Sequence, residues 1–254
     1  MNIIYILPFS YFYNTRLRNG SWVFHALFEW LSAAILVMAL GRVPPFQALI
    51  QAILVYFAFI SLYEIGYLVN DLFAARKEKD GRRRGPQNAP TMWVLTWIAF
   101  RILAFIALTF VLNMQEVLAW WSFFLALSII FALHNMFVDR EFKVATFLWL
   151  AWFRFMAPVI FVVEDRYRMG VALAAGIIYA AFRLFGYLDS KGLLKMPGRQ
   201  RIRFRLVFFL MPLTGVLALA PYDEARGFVL LCAVYSIIAL AAAGSSWLRH
   251  GHLD

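Results

Sequence analysis

Two apolar runs in this chain end in regularly spaced charges whose types suit phosphate chemistry. The first run closes with YEIGYLVNDLFAARKEKD, where Glu64, Asp71 and Glu78 lie seven residues apart. A helix continuing through all three carries them on one face, with Asn70 beside Asp71. Carboxylates in such a place can hold Mg²⁺, which binds through one or two carboxylates together with substrate phosphates. Asn70, Asp71 and Glu78 are therefore the candidate metal-binding and catalytic residues, with Tyr67 and Lys77 of the same stretch as substrate contacts. A water-solvated helix end accounts more simply for Asp71 and Glu78. It does not account for Glu64, which lies deeper in the apolar run, where a carboxylate is costly unless it faces a partner or a cavity.

The second run closes with YAAFRLFGYLDSKGLLK, in which Tyr179, Arg183, Tyr187, Lys191 and Lys195 recur every four residues. On a helix that spacing makes one stripe, cationic toward its end. Arginine and lysine take phosphate oxygens directly. Snorkelling explains Lys191 and Lys195 cheaply, but Arg183, about two turns deeper, needs an anion or other acceptor. Asp189 lies beside the stripe.

Further candidates are fewer. His134 lies beside Asn135, and Arg140 and Lys143 follow in VDREFK. A lone histidine is more often a packing or hydrogen-bonding residue than a base. Arg82 and Arg83 add cations in KDGRRRGP, a stretch without the strand–loop–helix context of a nucleotide site. Arg101 and Arg154, inside apolar runs, are expected to pair with carboxylates or carbonyls of the bundle. No CxxC, HExxH or Walker pattern occurs, and the single Cys232 lies in the apolar LLCAVYSII and forms no disulfide framework.

The elements that position these residues follow from composition. Of 254 residues, 63% are hydrophobic and 15% charged, too little polar surface to cover a water-soluble globule. A membrane-spanning helix needs roughly 20 mostly apolar residues. Stretches of about that length lie near 22–41, 47–69, 92–112, 117–137, 144–163, 170–188, 204–220 and 228–247. The expected fold class is all-α, a polytopic membrane bundle of about eight transmembrane helices in one domain, 1–254. An even number of spans puts both termini and the connections at about 70–91 and 189–203 on one side. That side carries most of the 24 Lys and Arg, and the other carries Arg42, Arg166, Arg168 and Arg226. The positive-inside rule makes the basic side cytoplasmic. The chain is thus expected in the cell membrane, with both termini and both long connections cytoplasmic. The net charge of +10 follows this topology, so no nucleic-acid partner is expected. Residues 1–21 lack the charged start and cleavage site of a signal peptide. They read as an interfacial segment anchored by Arg16 and Arg18.

The end of the second span resembles the UbiA superfamily of integral-membrane prenyltransferases. That family carries Asn-Asp-x-x-Asp-x-x-x-Asp at the end of its second helix and a second acidic motif after its sixth. Here Asn70, Asp71 and Glu78 match in part, with Ala74 in place of the middle Asp and Glu in place of the last. Arg82–Arg84 before Pro86 is similar to the basic tail of that motif, and HNMFVDREFK is similar to the family's basic fourth-to-fifth connection. After the sixth span Asp189 stands alone, and Leu193 replaces a second Asp. The resemblance implies a transferase acting on a polyprenyl phosphate or diphosphate, with Mg²⁺ and a phosphorylated small-molecule donor or acceptor. One branch of the superfamily transfers phosphoribose from phosphoribosyl diphosphate to polyprenyl phosphate, with Arg, Lys and Tyr in place of the second acidic motif. In that branch Arg183, Tyr187 and Lys191 would bind the lipid phosphate. Prenyl transfer to an acceptor is the other activity implied. A non-enzymatic polyprenyl-phosphate binding or transport subunit is the alternative, because a reduced motif can bind without reacting. A purely structural role leaves Glu64 and Arg183 needlessly costly.

Overall fold

The computed structural model describes residues 3–18, 20, 22–77, 84–86 and 88–250. Glu78, Arg82 and Arg83 lie outside the described residues. Among those described, eight helices are long and apolar enough to cross a membrane. They are α1 (Trp22–Leu40), α2 (Pro45–Arg76), α3 (Thr91–Val111), α4 (Leu118–Met136), α5 (Arg140–Ile160), α6 (Asp165–Ser190), α7 (Ile202–Leu219) and α8 (Asp223–Arg249). No strand occurs among the described residues beyond one isolated bridge, Gly41 to Val163. The chain is an all-α polytopic membrane protein, as its composition requires: each helix satisfies its own backbone where water cannot.

Local sequence sets the helix ends. Pro45 opens α2 at a position where its missing N–H costs nothing. Asp139 caps α5, its side chain accepting from the Glu141 N–H at 2.7 Å. In α7 the helix breaks between Leu210 and Leu213, at Pro212, which has no N–H to donate. The α-helical ladder of α2 stops at Leu72, and a single 3-10 turn, Ala74–Arg76, follows. The uninterrupted face expected from Glu64 through Glu78 is therefore not formed as one α-helix.

The chain packs as two compact units. The first is Met1–Val23 with Ile50–Phe161, holding most of α2 and all of α3, α4 and α5. Its aromatic core centres on Trp120, whose ring meets Phe124 at 4.6 Å and Phe161 at 4.9 Å and whose Nε1 donates to Thr109 Oγ1 at 3.2 Å. The N-terminal segment belongs to this unit. Residues 3–18 form short helical turns that bury Tyr11, Phe12 and Leu17, and Tyr5 stacks edge-on against Trp97 of α3 at 5.4 Å. Arg18 is exposed, but Arg16 turns inward. The reason is a segment rich in large apolar rings that finds a protein core to fill.

The second unit is Phe24–Leu49 with Val162–Asp254, holding most of α1 together with α6, α7 and α8. At its polar edge Arg42 pairs with Asp165, Arg168 with Asp165 at 2.7 Å, Arg166 with Asp223 at 3.0 Å, and Arg226 with Asp223 at 2.6 Å. All four basic residues assigned to the less basic side are therefore paired with neighbouring carboxylates, two arginines sharing each aspartate.

Candidate functional site

The first unit carries two carboxylate–guanidinium pairs on α2, two helical turns apart. Glu64 accepts from Arg101 Nε at 3.0 Å on one oxygen, with Arg101 Nη2 at ion-pair distance, 2.9 Å, from the same oxygen, and from the Phe12 backbone N–H at 2.6 Å on the other. Both side chains are wholly inaccessible. Arg101 Nη1 reaches the carbonyls of Tyr5 and Trp97 at 2.7 and 3.0 Å. The pair thus ties α2, α3 and the N-terminal segment together. An arginine expected to meet a partner inside the bundle does so, and its partner is Glu64.

Asp71 is buried nearer the end of α2. Its Oδ1 accepts from Arg16 Nη2 at 2.7 Å and from Asn70 Nδ2 at 3.2 Å, and its Oδ2 accepts from the Tyr11 hydroxyl at 2.9 Å. Burial, reinforced by the Asp71 charge and hydrogen bond, pushes the Tyr11 hydroxyl far above the usual tyrosine range, so Tyr11 stays a donor. Burial works against the charge on Arg16, but the hydrogen bond and charge of Asp71 outweigh it and raise its pKa. Gly85, in the connection after α2, packs against this corner. Gly85, at φ +74°, lies so close to Tyr11 that a Cβ there would meet the ring carbon Cε2 at 3.1 Å, and only glycine takes that φ readily.

Rings and cations continue the cluster. The Arg16 guanidinium lies 4.3 Å over the Tyr67 ring, Tyr67 stacks on Phe12 at 6.3 Å, and Arg154 lies 4.4 Å over Phe12. Arg154 also donates to the Tyr67 hydroxyl at 3.0 Å. His134 Nδ1 is 2.8 Å from Thr146 Oγ1, which anchors the end of α4 to α5, and Asn135 donates to the Gly66 carbonyl at 3.1 Å. His134 is thus tied to a hydroxyl, the ordinary structural use of a lone histidine. Lys143 is buried near the start of α5, whereas Arg140 and Lys77 are exposed.

The expected residues of the second unit form a separate set. Arg183 lies 5.5 Å over the Phe24 ring, and Lys191 lies 5.8 Å from the Tyr187 ring. Asp189 pairs with Arg199 at 2.7 Å. The four-residue stripe does not run its full length. Gly192, at φ +70°, ends the helix: its N–H bonds the Asp189 carbonyl, and the Leu193 N–H bonds the Leu188 carbonyl. This is the double bond pattern of a glycine-terminated helix, and it leaves Lys195 off the helix and exposed. At the other end of the stripe Tyr179 sits in a π-helical turn, Ala175–Ala180, and donates to buried Glu29. Glu29 Oε2 also meets His25 Nδ1 at 2.8 Å, so this buried carboxylate clasps α6 to α1.

Of the metal ligands expected on α2, Asn70 and Asp71 are described and Glu78 is not. Three His, Cys, Asp or Glu side chains converge nowhere among the described residues. Both oxygens of Glu64 and both of Asp71 already accept hydrogen bonds, and each carboxylate has a guanidinium as its nearest charge. A cation entering there competes with donors already in place.

Sequence reasoning passed over Tyr11, Arg16 and Glu29 as site residues. Glu29 and His25, four residues apart in α1, carry a readable signal, since a buried carboxylate needs a partner on the same helix or the next. For Tyr11 and Arg16 no local signal exists, because their partners lie 60 and 55 residues away. In comparisons with family models, curated proteins and solved structures, nothing matches this chain.

Proposed function

We propose that this protein is a membrane-embedded transferase, similar to the UbiA superfamily, that acts on a polyprenyl phosphate or diphosphate at the cytoplasmic face. The reaction is transfer of phosphoribose from phosphoribosyl diphosphate to the lipid phosphate, or transfer of the prenyl group to an acceptor. One observation carries this reading: Arg16, Arg154 and Asp71 are gathered with stacked aromatic rings at the end of α2, beside Asn70. Buried ionisable groups in a membrane protein cost too much to keep without use. Guanidiniums neutralise phosphate charge in a site with little water, where such contacts are stronger than in solution. Apolar helix faces suit the isoprenoid chain. Exposed cations such as Lys77 attract phosphorylated substrates to that face.

The test is turnover by the full chain in nanodiscs, supplied with polyprenyl phosphate and phosphoribosyl diphosphate and, separately, with prenyl diphosphate and an acceptor. A lipid-linked phosphoribose or a prenylated acceptor is expected, and Asp71→Asn is expected to abolish it while the protein stays monodisperse. Unchanged turnover in Asp71→Asn removes the proposed role. A chelator arm decides the part of Mg²⁺, for which the α2 carboxylates alone supply no free ligand.

A second reading is favoured by that same saturation of Glu64 and Asp71. A site whose carboxylates are all engaged suits a non-enzymatic polyprenyl-phosphate binding or transport subunit. It predicts lipid-phosphate binding insensitive to chelator and no product with any donor.

A further inference from the structure

Arg16 differs from the other arginine on an α2 carboxylate in its access and in how few good hydrogen bonds it makes. A guanidinium carries five N–H groups. Arg101 directs Nε at Glu64 and Nη1 at two carbonyls, all within 3.0 Å, and only its Nη2 lacks a hydrogen bond. Arg16 gives Asp71 one good bond, at 2.7 Å, and a marginal one, at 3.4 Å, to the carbonyl of Thr15. Its other donors meet no acceptor among the described residues. The bond to Asp71 is single-pronged although carboxylates accept the arginine fork, because Tyr11 occupies the second oxygen. Tyr67 under the guanidinium plane fixes its orientation, and the Arg16 side chain keeps 12% exposure while that of Asp71 has none. The arrangement is a charged, oriented, incompletely used donor set with a narrow opening.

We propose that Arg16 is a phosphate-binding residue of this site, and that Asp71 is an internal counter-ion which the terminal phosphate of the substrate displaces from it. The inference rests on the functional reading above and names a residue and a mode of entry for it. A phosphate terminus presents several oxygens to the donors that Asp71 leaves unused. Two anions on one guanidinium in a poorly solvated site repel each other, so binding moves Asp71 off Arg16. Asp71 is not stranded by the exchange, because Tyr11 and Asn70 still donate to it. Exchange also leaves the Glu64–Arg101 pair untouched.

The experiment measures binding of farnesyl phosphate to the full chain in phosphatidylcholine nanodiscs. Arg16→Gln is expected to weaken binding roughly tenfold to a hundredfold, the scale of a hydrogen bond to a charged group. Asp71→Asn is expected to tighten it severalfold, because the internal competitor loses its charge. A gain in affinity cannot come from a misfolded protein, so the second variant guards the first. Weaker binding in Asp71→Asn, or binding indifferent to Arg16→Gln, overturns the exchange. Failure of the wild-type chain and both variants to bind farnesyl phosphate overturns the functional reading as well. Displacement of the probe by inorganic phosphate at similar concentration supports Arg16 and assigns the site to free phosphate. Resistance to such displacement supports it and assigns the site to the lipid monoester.

Discussion

Glu64–Arg101 and Asp71–Arg16 are built from the same chemistry on the same helix, yet their surroundings give them opposite characters. The first pair is dry, with both Glu64 oxygens hydrogen-bonded, and it joins α2, α3 and the N-terminal segment. The second is single-pronged and slightly open, and its arginine comes from a segment of short turns rather than a long helix. A wholly inaccessible pair can only be broken, at the full cost of an uncompensated buried charge. A pair with an opening can be exchanged.

The largest effect that sharpens this contrast is expected at the dry pair. Arg101→Met leaves Glu64 buried without its cation and should cost about 3–5 kcal/mol of stability, read as an earlier unfolding midpoint in a detergent titration. Combining it with Glu64→Leu should recover most of that loss, since replacing a whole buried pair by apolar groups is nearly neutral. Failure of the double variant to recover would mean that Arg101 serves Tyr5 and Trp97 more than Glu64. A smaller effect, about 1–2 kcal/mol, is expected for Asp71→Asn, which removes one charge from a bonded but partly open pair. The same substitution should abolish turnover, so stability and activity separate at Asp71 and travel together at Arg101. Tyr11→Phe should cost about 1 kcal/mol. The smallest effect lies in the alkaline limb. The raised Tyr11 pKa means its contribution is fully present below about pH 10, the free tyrosine value, and is lost as pH rises beyond it. Tyr11→Phe should therefore flatten part of the loss of stability above that pH, measured by the same unfolding titration.

The spans were legible in the sequence because lipid imposes a length and an apolar composition that few soluble segments meet. Their ends were less so. Hydropathy placed the start of the sixth span near residue 170, whereas α6 begins at Asp165, because a helix continues through the polar interface where a hydropathy average already falls. The stripe from Tyr179 to Lys195 overran for a related reason: periodicity alone ignores a glycine, and Gly192 in SKG carries the stop signal. At the site, Glu64 and Asp71 could be picked out because carboxylates are rare and expensive in apolar runs. Their partners could not, apart from Arg101, the one charged residue in α3. Tyr11 and Arg16 sit in a stretch whose apolar rings and flanking arginines read equally well as a headgroup-level segment, and only tertiary packing turns them toward Asp71.

Photocrosslinking with a polyprenyl phosphate bearing its reactive group near the phosphate tests the central claim most directly. Label is expected on residues 3–18 and on the end of α2, with loss of label when unmodified polyprenyl phosphate competes. Label confined to α7 and α8, or label on α2 that competitor does not remove, would contradict a phosphate site built around Asp71 and Arg16.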